Sequence, residues 1–361
     1  MRPATILWLC IALILAACSR SFARARVPAP RATSERTEGF GSGTKGGAGG
    51  RRIVVDAPTE NALRRALVDA NQTGHVTIRF AVSAPIAIVR PLPYLTAPFV
   101  TVEGNGGTLD GSNLAKDVAL LDIRTHDVVV RDLRLRNGYD NLRIQGSEAA
   151  NVLVSHVSST GAADDGISIG YGAHDVTVAW SFLAGNTRSL FCKYGETTHV
   201  SVHHSWLQKG WIRSPLFFGP MVADLRNVIV EDWGEWGSRF SDGASGNVVD
   251  SLFVLSPYAR KAGGKSDSGL RLVDSGPVYL SGNAFRGTTM PALTGTASAP
   301  VPTAPVHTQA VAVMEPAVRS RAGCLPRDRL DRAYIDLRDG WHVGRAAPLR
   351  PSATVTKPKR I

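Results

Sequence analysis

Pairs of β-branched residues separated by one position recur along the middle of the chain: Val100/Val102, Val128/Val130, Val152/Val154, Val176/Val178, Val200/Val202 and Val228/Val230. Their intervals are 28, 24, 24, 24 and 28 residues. Alternate residues of a strand point to the same face, so each pair puts two valines on one side. Weaker echoes follow in GNVVDSLF (246–253) and PVYLSGNAF (277–285). Between them lie runs of three to five residues broken by Gly, Asn, Asp and Ser. A helical repeat would need a 3.6-residue period over ten or more positions, and a propeller blade about 40 residues. One turn of about 24 residues with several short strands fits a parallel β-helix, whose stacked valines form interior ladders. A β-sandwich with accidental spacing is the alternative, and three consecutive equal intervals argue against it. The expected fold is all-β, with an amphipathic helix at 57–71 capping the coil's open end. A Pro/Ala/Thr-rich loop is expected at 291–309. A short helical segment in VMEPAVRSRAGCLPRD should lie along the coil or over its far end.

The N-terminus changes the picture of location. Arg2 precedes a twelve-residue apolar run, Ile6 to Ala17, too short for a bilayer span but of the length of an export-signal core. Leu15-Ala16-Ala17-Cys18 resembles a bacterial lipobox, which would make Cys18 a lipid-bearing residue; an ordinary signal cut near Ala23 or Ala25 is the competing reading. The domain reading is a signal at 1–18, a flexible basic linker at 19–52, the β-helix at 53–290, and a loop and tail at 291–361. Cys10 and Cys18 belong to the signal, leaving Cys192 and Cys324, which an oxidising compartment would allow to pair. Two isolated cysteines do not make a zinc site.

The formal charge of +11 invites a polyanion-binding interpretation. Residues 19–52 carry eight bases against two acids, and residues 316–361 eleven against four. With Arg2, these ends account for the whole excess and leave 53–315 at −3. The core has no basic face or known module that would recognise nucleic acid.

Superposing coils also superposes positions 24 apart, about 4.8 Å per turn. Twelve residues after Val128, Val152 and Val176 stand Asp140, Asp164 and Arg188, and thirteen after Val200 stands Arg213. Asp165 adjoins Asp164 and could replace it in the column; Lys193 and Lys209 lie nearby in sequence. One reading is an ion-pair ladder on the outer surface, which contributes little. The other is a cation site beside an anion cradle, since stacked carboxylates with water can hold Ca²⁺ and neighbouring Arg and Lys a polyanionic substrate.

Several phrases resemble those of the pectate lyases of polysaccharide lyase family 1. TIRFAVSAPIAIVRPLPYLTAPFVTVEGNGGTLDG (77–111) is similar to the family's opening turns. NVLVSHVSS (151–159) resembles its V-x-x-D-H-x-S phrase, with Ser155 where Asp is usual. DDGISIGYGAHDVTVAWSFL (164–183) and VSVHHSWLQKGWIRSPLFFG (200–219) are similar to its D-G and R-x-P-x-x-R-x-G segments, and AGCLPRDRLDRAYI (322–335) resembles the ending of bacterial members. The resemblance runs from about residue 76 to 340. It implies a right-handed parallel β-helix and Ca²⁺-assisted β-elimination of polygalacturonate. It further implies Asp140 and Asp164, or Asp165, as calcium ligands. Arg188 falls where the family has a substrate-binding lysine, Lys209 is a further substrate-binding candidate, and Arg213 matches the general base. Ser168 and Phe218 stand where a second acid and a second arginine are common, so the set is thinned.

The residue types suit that chemistry. Removing the proton alpha to a uronate carboxylate requires its charge to be neutralised and the enolate-like transition state stabilised. A base must then reach the proton. Arginine is a poor base at its ordinary pKa of about 12.5–13.8, and only crowding by positive charge could ease this; Lys193 is the reserve base. Two rivals remain: a glycoside hydrolase using Asp164 and Asp165, and a non-catalytic β-helix that binds anionic glycans. The expected protein is an exported monomer, secreted or lipid-anchored at the bacterial cell envelope. Its partner would be an acidic plant cell-wall polysaccharide, with membrane contact only through Cys18. His203-His204 is expected to pack on the sheet; Trp233 and Trp236 could line a sugar cleft or pack in turns. The glycines at 104–107 read as turns and not as a phosphate loop.

Overall fold

The computed structural model describes residues 37–261, 265, 269–290 and 293–336. The expected export signal, Cys18 and the end of the tail lie outside the described residues. From Arg51–Val55 to Thr296–Ala297 the chain winds as a right-handed parallel β-solenoid. Each full coil supplies three strands, such as Ala150–Ser155, Ser158–Thr160 and Asp165–Gly170. Every pairing is parallel; two sides of the coil belong to one eighteen-stranded sheet, and the third is a separate seven-stranded sheet.

The valine pairs form the inner ladder. Val76, Val100, Val128, Val152, Val176 and Val200 stand rung over rung, as do Ile78, Val102, Val130, Val154, Val178 and Val202, and all are buried. Burying each such side chain stabilises the fold by about 1.5–3 kcal/mol relative to exposure. One expected rung is displaced. The partners of Val200 and Val202 are Ala223 and Leu225, while Val230 pairs with Leu207 in the second wall. The longer interval before Val228 spans this change of wall. The echoes at 246–253 and 277–285 do continue the ladder, through Val248 opposite Leu280.

The helix Glu60–Thr73 closes the N-terminal end, with Leu63 and Leu67 buried beneath it. Thr59 Oγ1 accepts the Ala62 N–H as an N-cap. Burial works to raise the Glu60 carboxyl, yet the N–H groups of Val89 and Arg90 and the guanidiniums of Arg64 and Arg90 hold it down at about 2. Two helices follow the coil, Val311–Arg321 and Arg329–Asp336. The second is fastened to it by buried Arg136, which donates to Asp331 at 2.8 Å and Asp328 at 3.1 Å. Cys192 and Cys324 are both buried free thiols, so the bond that export would allow is absent. Cys192 lies in the solenoid core, whereas the Cys324 N–H donates to Ser158 Oγ on another wall. Among the described residues, no helix is long and apolar enough to cross a membrane.

The glycine-rich run 41–50, expected to be part of a tether, instead lies against the coil. In each valine pair the middle residue faces outward, and three of these hold the run. Thr101 Oγ1 accepts from Gly47 N, Thr177 Oγ1 from Gly41 N and Ser201 Oγ from Phe40 N. A Cβ on Gly47 would lie 1.9 Å from the Val76 carbonyl oxygen, so glycine here permits contact and not looseness. Residues 301–309 continue the strap through paired hydrogen bonds with Asn247 and Asn227, and Gly39 N donates to Pro305 O at 3.1 Å. His203 and His204 are buried close by, their Nδ1 atoms 3.0 Å apart. Burial holds His203 down at about 3, with the neighbouring His204 ring adding to it, and holds His204 at about 4.

Two predictions follow from the packing. Gly47→Ala should open 37–50 to limited proteolysis at a protease level that leaves the wild type intact there; equal resistance would contradict the close contact. The histidines refuse protons that the unfolded chain accepts below about 6.5. Their contribution is complete above that value and declines as pH falls from it towards about 4 and 3. The urea midpoint should therefore drop between pH 7 and 4, and His203→Gln should flatten that slope.

Candidate functional site

The seven-stranded sheet carries the charged residues. Leu142 pairs with Ile167, which places Asp165 in register with Asp140; Asp165 pairs with Arg188, and Arg188 bridges to Ile212. The column is therefore Asp140, Asp165, Arg188, Ile212. Asp164 and Arg213 each stand one position away from it, because successive intervals are 25, 23 and 24 residues and not a uniform 24. Asp164 is nevertheless part of the cluster, and the Arg188 guanidinium donates to its Oδ1.

The carboxylates of Asp140, Asp164 and Asp165 offer oxygens that all lie within 4.8 Å of one another. Arg143 Nε and Nη2 donate to Asp140 Oδ2 at 2.9 and 2.6 Å. Asp140 Oδ1 accepts the Asp165 backbone N–H at 3.1 Å. Lys193 Nζ stands 3.6 Å from Asp165 Oδ2, while the buried Asp165 Oδ1 has no hydrogen-bond partner. Burial, with the Asp140 charge behind it, pushes Asp165 up to about 6 despite Lys193 and Arg213. An acid raised by burial and by a like charge, with one oxygen left without a hydrogen bond among the described residues and two further carboxylates within reach, fits a hard divalent cation with oxygen ligands.

Arg213 has a left-handed backbone, φ 61°, and its guanidinium lies 3.8 Å from the Phe191 ring centroid. Its side chain makes no ion pair or hydrogen bond with a described residue, and its Nε is buried. Burial, then repulsion from Arg188, lowers its pKa to about 10, against the attraction of Asp165. Lys193 Nζ lies 4.2 Å from the same Phe191 ring. Arg213 and Lys193 thus both contact the Phe191 ring beside the acidic cluster.

Lys209 is not brought into this group. It is buried on another wall and its Nζ donates to the Tyr334 carbonyl at 2.6 Å, because residue 209 follows the strand Trp206–Gln208, over which the last helix packs. The two tryptophans diverge. Trp233 is in the core and donates to Lys265 O, whereas Trp236 packs with Phe191 and Leu216 and carries the Arg239 guanidinium 5.6 Å from its ring. Arg143, Phe191 and Arg239 were not apparent from the sequence. Arg143 falls opposite Ser168 in a strand whose register is fixed only by its neighbours, and Phe191 lies two residues before Lys193 in an apolar run.

No protein-family model matches the chain. A probable pectate lyase C of Emericella nidulans is 27% identical over 241 residues, 61% of this chain and 52% of that protein. One from Aspergillus flavus is 26% identical over 238 residues, 61% and 54% of the two chains. The chain thus spans about half the length of the relatives it matches. Among solved structures, the major allergen from cedar pollen superposes with a TM-score of 0.62 at 14% identity, covering 79% of this chain and 92% of that one. A pectate lyase bound to a hexasaccharide gives 0.60 at 14%, covering 80% and 97%. The pectate lyase of Bacillus sp. N165 in complex with trigalacturonate gives 0.57 at 16%, covering 79% and 98%. The chain is a parallel β-solenoid related to pectate-lyase folds.

The electrostatics predict opposed effects of one substitution. Ionised Asp165 is disfavoured in the fold, so its carboxyl favours folding as pH falls through about 6 towards 3.8 and costs stability above that window. Asp165→Asn should raise the melting temperature of metal-free protein at pH 8 and abolish the further rise that Ca²⁺ gives the wild type. The wild-type Ca²⁺ effect should shrink below about pH 6, where the cation competes with a proton. Scanning fluorimetry with Ca²⁺ and with chelator reads both; a Ca²⁺ shift surviving in the variant would exclude Asp165 as a ligand.

Proposed function

We propose that this chain is an exported polysaccharide lyase that cleaves polygalacturonate by Ca²⁺-assisted β-elimination, with Arg213 as general base. The observation that carries the reading is the setting of Arg213: a guanidinium without a carboxylate partner among the described residues, laid on Phe191 and lowered to about 10, beside three clustered carboxylates. The pectate lyase C relatives support the same reaction class.

Elimination needs a uronate held by its carboxylate and a base at the alpha proton. Arg188, which pairs with Asp164, is the cation such a carboxylate would meet. Asp140, Asp164 and Asp165 would hold Ca²⁺, which supplies positive charge to neutralise the uronate carboxylate and lower the alpha proton's pKa. Arg213 then takes that proton, the alpha–beta double bond forms as the bond from the beta carbon to the glycosidic oxygen breaks, and the departing oxygen takes a proton from water. Its depressed pKa makes the neutral guanidine accessible in mildly alkaline solution, and the Phe191 face keeps water from one side. Lys193 is the alternative base. The chain would act outside the cytoplasm, with any membrane contact made through a lipid on Cys18.

A second reading, a non-catalytic surface protein that binds anionic glycans, draws on one observation. Arg143, Arg188 and Lys193 already pair with the cluster's three carboxylates, as in a structural ladder. Arg213→Ala separates the two. As a lyase, the wild type should release ultraviolet-absorbing unsaturated uronide from polygalacturonate, faster from pH 7 to 9 and abolished by chelator. The variant should lose about 10²–10⁴ in kcat, the usual contribution of a positioned base. Wild-type protein that binds polygalacturonate without forming unsaturated product would support the second reading.

A further inference from the structure

Beside this cluster the sheet ends in a turn with an unusual occupant. Gly170 pairs with Gln145 and Lys193, Cys192 with Phe217, Phe218 with Ser241, and Ser241 with Val273. The next position on successive coils is therefore Gly146, Tyr171, Tyr194, Gly219, Asp242 and Asp274. All six are left-handed, with φ of 94°, 57°, 64°, 101°, 57° and 50°. Glycine adopts that conformation freely and aspartate tolerates it, but a bulky aromatic residue does not favour it.

Burial does not explain the two tyrosines. Tyr171 is 56% and Tyr194 47% exposed. Their ring centroids are 5.3 Å apart at an interplanar angle of 43°, so two adjacent aromatic rings stand largely in solvent. Lys193 Nζ lies 5.0 Å from the Tyr194 ring and 3.6 Å from Asp165 Oδ2, which ties the pair to the acidic cluster. Tyr171 is near enough to Arg143, and Tyr194 to Arg213, to act on their charge. Other aromatic residues, Phe99 and Trp180, are left-handed too, so what sets Tyr171 and Tyr194 apart is that two half-exposed rings pair beside the acidic cluster.

We propose that Tyr171 and Tyr194 form a sugar-stacking subsite for a hexuronate polymer, taking a pyranose unit next to the one held at Arg213. The C–H face of the sugar would lie on the aromatic rings while its carboxylate meets Lys193; a neutral apolar ligand would leave that cation unused. The inference rests on the ligand class of the proposed function and not on cleavage.

Glycine is the replacement that neighbouring coils already use, so Tyr171→Gly/Tyr194→Gly should fold with an unchanged or higher melting temperature. Calorimetric titration of the full chain with hexagalacturonate should show affinity reduced about tenfold, on the scale of a lost aromatic contact at each position. Tyr171→Phe/Tyr194→Phe should stay within about twofold, because the rings remain. If the wild type cleaves, KM should rise in the glycine variant and kcat hold. A glycine variant that binds hexagalacturonate like the wild type overturns the subsite whether or not cleavage occurs. Binding lost with the tyrosines in a wild type that does not cleave supports the subsite and removes the lyase reading. A wild type that binds no hexagalacturonate overturns both.

Discussion

Coil stacking is the constraint on which the rest depends. A parallel ladder sets each residue about 4.8 Å from its counterpart one coil away, so side chains of like position are forced together whatever their chemistry. For apolar residues this is cooperative: Val128, Val152, Val176 and Val200 fill one continuous column. For charges it is not. Asp140 and Asp165 fall on neighbouring rungs, and burial, with the Asp140 charge adding to it, raises the Asp165 carboxyl to about 6. The core enforces the register, so the acidic residues cannot relax apart without disturbing Leu142, Ile144, Ile167 and Ile169, buried on the same strands.

The same constraint shapes the basic side. Arg213 follows the bridge at Ile212 and leaves the column through a left-handed residue, which turns its guanidinium onto Phe191. An aromatic face attracts a cation without offering it a proton acceptor. Burial and Arg188 then loosen its proton, which a carboxylate partner would have held. Among the described residues Arg213 thus has no carboxylate partner, while the three carboxylates nearby are paired with Arg143, Arg188 and Lys193.

How much of this was legible in the sequence depends on whether the period alone decides it. The inner ladder, the capping helix near 57–71 and the clustering of Asp140, Asp164, Asp165, Arg188 and Arg213 all follow from spacing. Two features did not. Val228/Val230 matches the phrase of the ladder but lies in another wall, since coil length changes there and the phrase carries no mark of its wall. The run 41–50 has the composition of a tether, yet its glycines are needed to approach backbone carbonyls; composition cannot distinguish freedom from tight contact. Lys209 illustrates a third limit. It is near Arg213 in sequence but on a different wall, because a three-walled coil changes direction every few residues. The roles of Arg143 and Phe191 depend on rotamers and cross-coil distances that no spacing encodes.

A comparison within the molecule bears on whether the charged column is only structural. On another face Arg79, Glu103 and Arg131 stack on successive coils, and Glu103 bonds to both arginines, at 3.1 and 2.8 Å. Signs alternate there, and each charge meets its opposite. That is what selection for an ion-pair ladder would produce, with the modest contribution of exposed pairs. The site column is ordered differently. Its two acids are adjacent, and the guanidiniums of Arg213 and Arg239 beyond them lie on Phe191 and Trp236 without carboxylate partners among the described residues. Segregated charge, with aromatic faces in place of counter-ions, instead suits a surface that receives a cation and an anion from outside.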